Sequence, residues 1–244
     1  MKSKYSLYMC LFFIIGIMIQ SLPSFGLQNI RNLDETERRR FAANYTKARK
    51  YYLEGKKCMK QGKIDKAQEK FLKSVETAPD FAESYVETGN IYMKKGMYDE
   101  AIEEYNKGAE AYLRLEAYVS RVIIAKTAAQ RENDVFSREL YRDLHKREFT
   151  VPSKICLFLG GAYFRKGMMN EALEQFNKTI GIDPRCGEAH NNLAVVYFLT
   201  KQYDLAWKHL RLAEKFRAKV NPKFVEDLKN VSPDPEKNTK KKKK

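Results

Sequence analysis

Histidine and cysteine are the side chains of this sequence best suited to acid–base or nucleophilic chemistry, and they are few and scattered. The chain has three histidines, at positions 145, 190 and 209, and four cysteines among its 244 residues. Catalysis requires titratable groups that converge on one site, yet the one other histidine or cysteine close to His190 in sequence is Cys186. A single Cys/His pair supplies half the ligands of a zinc site. The pattern therefore predicts no catalytic residue and no bound metal.

Two other motifs resemble chemical sites but have simpler interpretations. The pair Gly160 and Gly161 is not placed between a strand and a helix, as a phosphate-binding loop would require. The acidic stretch "DEAIEEY" at residues 99–105 has helical spacing, so its carboxylates face solvent while Ala101 and Tyr105 are buried. These residues predict a non-enzymatic protein without a cofactor.

The composition favours a folded, all-α protein. Hydrophobic residues make up 43% of the chain and charged residues 32%, which is typical of globular domains. Only 12 glycines and 7 prolines are present, fewer than a turn-rich β-sandwich or barrel would need. The formal net charge of +15 indicates a basic surface.

The N-terminus has the pattern of a secretory signal. Lys2 and Lys4 precede an uncharged apolar run over residues 5–19, which is shorter than the roughly 20 residues of a membrane span. Ser24 and Gly26 occupy the small-residue positions of a cleavage site. Residues 1–26 are therefore predicted to be a signal peptide, with an uncleaved signal anchor as the alternative. The expected location is periplasmic or secreted, or membrane-tethered if the anchor is kept.

A 34-residue repeat organises the rest of the chain. Four alanines are separated by 34, 71 and 34 residues, and each has a small residue twelve positions earlier and a bulky one four positions later. The four sets are Gly55, Ala67 and Phe71; Gly89, Ala101 and Tyr105; Gly160, Ala172 and Phe176; and Ala194, Ala206 and Leu210. Small residues on both members of a helix pair would let the helices approach closely while the bulky residue fills a neighbouring gap. These positions are predicted to be structural packing residues.

This pattern resembles the tetratricopeptide repeat family, whose unit is 34 residues long. Gly62, Gly96 and Gly167 end the first helix of three units, and Pro79 and Pro184 lie at the ends of two. The resemblance implies a right-handed superhelical solenoid of antiparallel helix pairs. Four repeats are clear and one is divergent.

The repeats divide the chain into predicted segments. Residues 27–46 form an N-terminal helix that leads into the array at 47–220, residues 221–230 form a capping helix, and 231–244 are a disordered, lysine-rich tail. The units lie near 48–81, 82–115, 116–152, 153–186 and 187–220. The divergent unit pairs Ala125 with Ser137 in an uncertain register, and a spacer is the alternative for this stretch.

The resemblance also implies a concave groove lined by the first helix of each unit. The groove residues carried over to this sequence are Arg49, Tyr52, Lys56, Lys60, Glu83, Glu87, Asn90, Lys94, Lys126, Lys154, Leu157, Phe158, Phe164, Arg165, Glu188, Asn191, Asn192 and Phe198. Seven of these side chains are basic and three are acidic, so the expected ligand is an acidic segment of a protein, with aromatic side chains as apolar anchors. A generally basic surface is the alternative explanation of this excess.

The expected function is an exported, non-catalytic scaffold that binds a partner in this groove and helps to assemble or maintain an envelope complex. The rival hypothesis is electrostatic binding to an anionic polymer or membrane surface through the basic body and the lysines at 240–244. Nucleic acid is not expected as a partner, because the chain is predicted to be exported.

Overall fold

Antiparallel helix pairs, stacked one upon the next, account for the part of the chain that the computed structural model describes, residues 35–129 and 151–234. The helices are α1 (Glu35–Lys60), α2 (Ile64–Thr77), α3 (Ala82–Lys95), α4 (Tyr98–Ala129), α5 (Val151–Lys166), α6 (Met169–Ile182), α7 (Gly187–Leu199), α8 (Tyr203–Lys215) and α9 (Pro222–Val231). The described residues contain no strand. The all-α solenoid of repeats predicted from the sequence is confirmed.

In three of the helix pairs, a glycine on the first helix faces an aromatic ring on the second. A Cβ atom added to Gly55, Gly89 or Gly160 would lie 2.5 Å from the ring of Phe71, Tyr105 or Phe176, respectively. The sequence pattern suggested that the glycine pairs with the small residue of the second helix, but its nearest neighbour is the aromatic four positions further on. The ring needs the space that a side chain on the first helix would occupy, because core atoms are already close-packed.

Stacking between units uses one set of positions, repeated in phase. Ile91 packs with Ala67 and Phe71 of the unit before it. Ile155, Leu159 and Ala162 pack with Ala101 and Tyr105, and Ala189, Leu193 and Val196 pack with Ala172 and Phe176. From the second unit onward, each first helix therefore buries its apolar face against the second helix of the preceding unit, which makes the core continuous.

The same positions are charged in the first unit, where no preceding unit is described. Lys50, Glu54 and Lys57 occupy the places that Ser84, Thr88 and Ile91 hold in the second unit. Ser84, Thr88 and Ile91 are buried, whereas Lys50 and Lys57 are exposed. Charged side chains tolerate water on this face, so the array has a polar end at α1.

One predicted boundary differs from the observed helices. Helix α1 runs without a break from residue 35 into the first unit, in keeping with a helix that leads into the array, whereas α4 continues through residue 116, where a new unit was placed. Residues 111–129 contain neither glycine nor proline, so nothing interrupts the helix. Helix α5 packs directly on α4 through Ile155 and Tyr105. The rest of the divergent unit, including Ser137, lies outside the described residues, as do the signal segment 1–26 and the lysines at 240–244.

The last unit is covered by α9. The Asn221 side chain accepts a hydrogen bond from the Lys223 backbone N–H at 3.0 Å, and Pro222 is the first helical residue. Leu228 is fully buried against Trp207 and Leu210. Among the described helices, none combines the length and apolar character needed to cross a membrane.

Candidate partner-binding surface

The first helices of neighbouring units are connected by polar side chains along one surface. Lys56 on α1 forms an ion pair with Glu87 on α3, with 2.6 Å between Nζ and Oε1. Asn90 donates a long hydrogen bond of 3.4 Å to the same carboxylate and accepts one of 2.8 Å from the Tyr105 hydroxyl. Burial, and secondarily the Glu87 charge, raises the pKa of Tyr105, so its hydroxyl stays a donor. Lys56 and Asn90, both predicted to bind a partner, are thus already engaged within the protein.

Three other predicted cations are at the same repeat position and are exposed. Lys60, Lys94 and Arg165 are separated by 34 and 71 residues and lie at the carboxyl ends of α1, α3 and α5. Cations are favourable at these helix ends because the backbone carbonyls carry partial negative charge. None of the three forms an ion pair with a carboxylate in the described part of the chain, so each remains able to contact an anionic partner.

The next residue in two of these helices has a structural role instead. Lys95 lies 3.4 Å from the Asp65 carboxylate, and Lys166 forms the equivalent ion pair with Asp99. Both pairs join a first helix to the second helix of the preceding unit. In each of these two adjacent pairs of cations, the first is therefore available for binding and the second connects units.

Apolar side chains accompany the exposed cations. One repeat position, directly before that of the exposed cations, is apolar in all four clear units. Its residues are half-buried: Met59, Met93, Phe164 and Phe198. The two methionines were missed by the sequence analysis, although their repeat phase could have found them. Phe158 stacks on Tyr105 with ring centroids 5.6 Å apart. The surface therefore presents apolar and cationic side chains side by side.

Other predicted groove residues are positioned differently. Tyr52 packs its ring near Phe71 and Phe81, and Leu157 is buried in the core of the later units. Arg49 is exposed in the middle of α1, next to Lys50 and Leu53. Asn191 has a buried side-chain oxygen without a hydrogen-bond partner in the described residues, and the Asn192 side chain is half-buried. Lys154 is exposed, and Lys126 belongs to the end of α4, where side chains are outside the described set.

Two of the three histidines form a buried pair that the sequence did not predict. His190 on α7 and His209 on α8 place their Nδ1 atoms 3.0 Å apart, and Nε2 of His190 lies 3.1 Å from the Pro184 carbonyl oxygen. Because a carbonyl only accepts, Nε2 of His190 carries a proton, and in the neutral pair His209 donates to His190. Burial, followed by the His190 and Lys208 charges, lowers the pKa of His209 to about 4. This pair is a packed interior contact between two helices.

The described residues also offer little for metal or thiol chemistry. In residues 35–129 and 151–234, no three His, Cys, Asp or Glu side chains are grouped so that they could hold a metal ion. Burial raises the pKa of the Cys156 and Cys186 thiols, which disfavours the reactive thiolate.

A family model agrees with the repeat pattern, and several solved structures are similar to the chain. The family model described as tetratricopeptide repeat matches residues 52–112 and 157–219. The solved structure "MamA MSR-1 C2" is 21% identical, with 68% of this chain and 74% of that chain covered and a TM-score of 0.46. A structure of pilF from Pseudomonas aeruginosa is 16% identical, with 78% and 86% covered and a TM-score of 0.40. Among curated proteins, the search found no match.

Proposed function

The chain belongs to the tetratricopeptide repeat family, and we propose that it is an exported, non-catalytic scaffold that binds a segment of another protein along its first helices. The observation that carries this proposal is the row of exposed cations Lys60, Lys94 and Arg165 beside half-buried apolar side chains. Binding energy in protein interfaces is concentrated in apolar anchors, whereas charges contribute orientation and association rate. The surface supplies both.

The expected partner is an acidic segment that also carries apolar residues. Glu87 is neutralised by Lys56, so it does not oppose an incoming carboxylate at the second unit. The available cations lie at one repeat position, which suits a segment that runs along several units rather than one that enters a single pocket. In the proposed setting, the scaffold helps to assemble or maintain a complex of the cell envelope.

The rival function is electrostatic binding to an anionic polymer or membrane surface through the basic body and the lysines at 240–244. It is supported by the net charge of +15. The two functions differ in their response to salt. Binding by surface charges alone weakens steeply as ionic strength rises, because the screening length falls to about 3 Å at 1 M salt. Apolar anchoring persists under those conditions.

The proposal is tested by crosslinked affinity capture from the envelope fraction of the native host. The chain is compared with a Lys94→Glu, Arg165→Glu variant and with a truncation that ends at Asn238. A matched control, Lys66→Glu, Lys208→Glu, makes the same charge change on the second helices α2 and α8, where both lysines are exposed. We expect one defined protein to be recovered with the wild type, the truncation and the control, but not with the first variant.

Two results would contradict the scaffold proposal. Equal loss of the captured protein in both double variants would show that total charge, rather than the first-helix surface, drives capture. Loss with the truncation and in high salt would identify the tail as the binding element and favour the anionic-surface function.

A further inference from the structure

An ion pair connects the ends of the first two units, and its counterpart in the later units is missing. Asp80 and Arg114 hold the same position in the first and second units, 34 residues apart. Their side chains lie 2.7 Å apart, and Arg114 also donates to the Pro79 carbonyl oxygen at 3.2 Å. The equivalent residues of the last two clear units are Arg185 and Lys219, so a cation replaces the acid.

The loss of this acid leaves a concentration of positive charge. Arg185, Lys215 and Arg217 line one open cavity of about 390 Å³ together with Phe216. In residues 35–129 and 151–234, no carboxylate forms an ion pair with any of these three cations. Asp183 lies on the same turn, but its Oδ1 accepts the backbone N–H of Arg185 at 3.0 Å.

Close packing holds the two sides of this cavity together. A Cβ atom on Gly187 would lie 3.0 Å from both the Ala218 Cβ and the Phe216 carbonyl oxygen, so the start of α7 touches the turn after α8. The Phe216 ring stacks on the buried His190, with centroids 5.7 Å apart. The Lys215 Nζ lies 5.7 Å from the centroid of the same ring. The cations are therefore carried by a rigid, packed junction rather than by a free loop.

We infer that this junction binds a phosphate group, through Arg185, Lys215 and Arg217. A guanidinium donates two parallel hydrogen bonds to an oxyanion, and the junction supplies two guanidiniums. A phosphate near neutral pH carries a charge of about −1.5 to −2. Three cations balance this charge better than they balance the single negative charge of a carboxylate. The site is separate from the first-helix surface and goes beyond the proposed scaffold function. The phosphate is either a free ion or a monoester group on a larger ligand, and the two sources share this chemistry.

The site is tested by NMR titration of the full chain, following the side-chain Nε–H signals of its arginines. Inorganic phosphate and glycerol phosphate are added in separate experiments, with sodium chloride at matched ionic strength as the blank. We expect saturable shifts of the Arg185 and Arg217 signals with one or both phosphates and little response to chloride. Saturation with inorganic phosphate identifies the free ion as sufficient, whereas at least tenfold tighter binding of glycerol phosphate identifies a monoester as the natural group.

Arg185→Asp is the decisive variant, because it restores the acid that Asp80 supplies in the first unit. It should weaken phosphate binding at least tenfold at Arg217 and raise the melting temperature in the absence of phosphate. Lys66→Asp makes the same charge change on α2, at the far end of the array, where this lysine is exposed, and should leave phosphate binding within twofold of wild type. Unchanged binding in Arg185→Asp, equal weakening in both variants, or an equal response to sodium acetate would overturn the inference.

Discussion

The ring of Tyr105 occupies the space directly above Gly89, so that a Cβ atom on this glycine would lie 2.5 Å from the Cε1 atom of the ring. The same contact joins Gly55 to Phe71 and Gly160 to Phe176. In the last unit both members change together: the small residue is Ala194 and the bulky one is Leu210, and both are buried. The methyl group that Ala194 has in place of a glycine is thus accompanied by Leu210, whose side chain is smaller than an aromatic ring.

This covariation gives the first prediction. Gly89→Ala should destabilise the protein by about 1–3 kcal/mol, because the added methyl group displaces a fully packed ring. The double variant Gly89→Ala, Tyr105→Leu should lose less unfolding free energy than the sum of the two single changes. The reason is that it reproduces the pair of small and bulky residues found in the last unit. Urea unfolding of the two single variants and the double variant measures the coupling. Simple addition of the two single effects would refute this account of the contact.

Buried hydroxyl groups connect the first two units and give the second prediction. Ser84 donates to the Ser74 oxygen at 2.8 Å, and Ser74 donates to the Ala48 carbonyl oxygen at 2.9 Å. Ser74→Ala should cost about 1–2 kcal/mol of unfolding free energy, because the buried Ser84 hydroxyl loses its acceptor. Ser74→Ala with Ser84→Ala should cost less than the sum of the single changes. Chemical denaturation of the two single variants and the double variant measures these free energies. A double variant whose loss equals the sum of the two single losses would contradict the prediction.

The third prediction concerns the turn that ends α7. Lys201 has a φ of 61° at the position where the three earlier units have Gly62, Gly96 and Gly167. This left-handed conformation strains residues that have a Cβ atom by about 1 kcal/mol. Lys201→Gly removes this strain and should therefore stabilise the protein by up to about 1 kcal/mol. The entropy that the more flexible glycine loses on folding offsets part of this gain. Gly96→Ala is the matched opposite and should destabilise it, as thermal unfolding would show.

The fourth prediction is a pH dependence from the buried histidine pair. The pKa of His209 is lowered from 6.5 to about 4, so the unfolded chain binds a proton at this residue more readily than the folded one does. The associated stability is fully present above about pH 6.5 and is lost as the pH falls toward 4, by up to about 3 kcal/mol. The charges of His190 on α7 and of Lys208 on the same helix also lower the pKa of His209. The neighbouring rings of Tyr197 and Phe216 are uncharged.

His209→Gln should flatten this part of the pH profile while the carboxylate titrations common to both proteins remain. The measurement is the free energy of unfolding of wild type and variant at pH 7, 5.5 and 4.5. An identical difference between the two proteins at all three pH values would rule out His209 as the source.

The sequence alone was sufficient for the fold class and the repeat register. A 34-residue period appears because each unit buries the same positions against the next, so residues such as Ala67, Ala101, Ala172 and Ala206 must stay small. Local signals also sufficed for Gly96, whose left-handed φ of 76° ends α3. These features depend on residues that are close in sequence or recur at a constant interval.

The tertiary structure alone decided which side chains meet across helices. Repeat phase placed Lys56 and Lys94 on the same surface, but only the rotation of α3 against α1 brings Glu87 to Lys56 and leaves Lys94 exposed. His190 and His209 meet for the same reason, since their contact requires two helices to pack at a particular depth. A repeating sequence specifies which face of each helix is buried. The partner of each polar atom depends on distances between helices, which no periodicity contains.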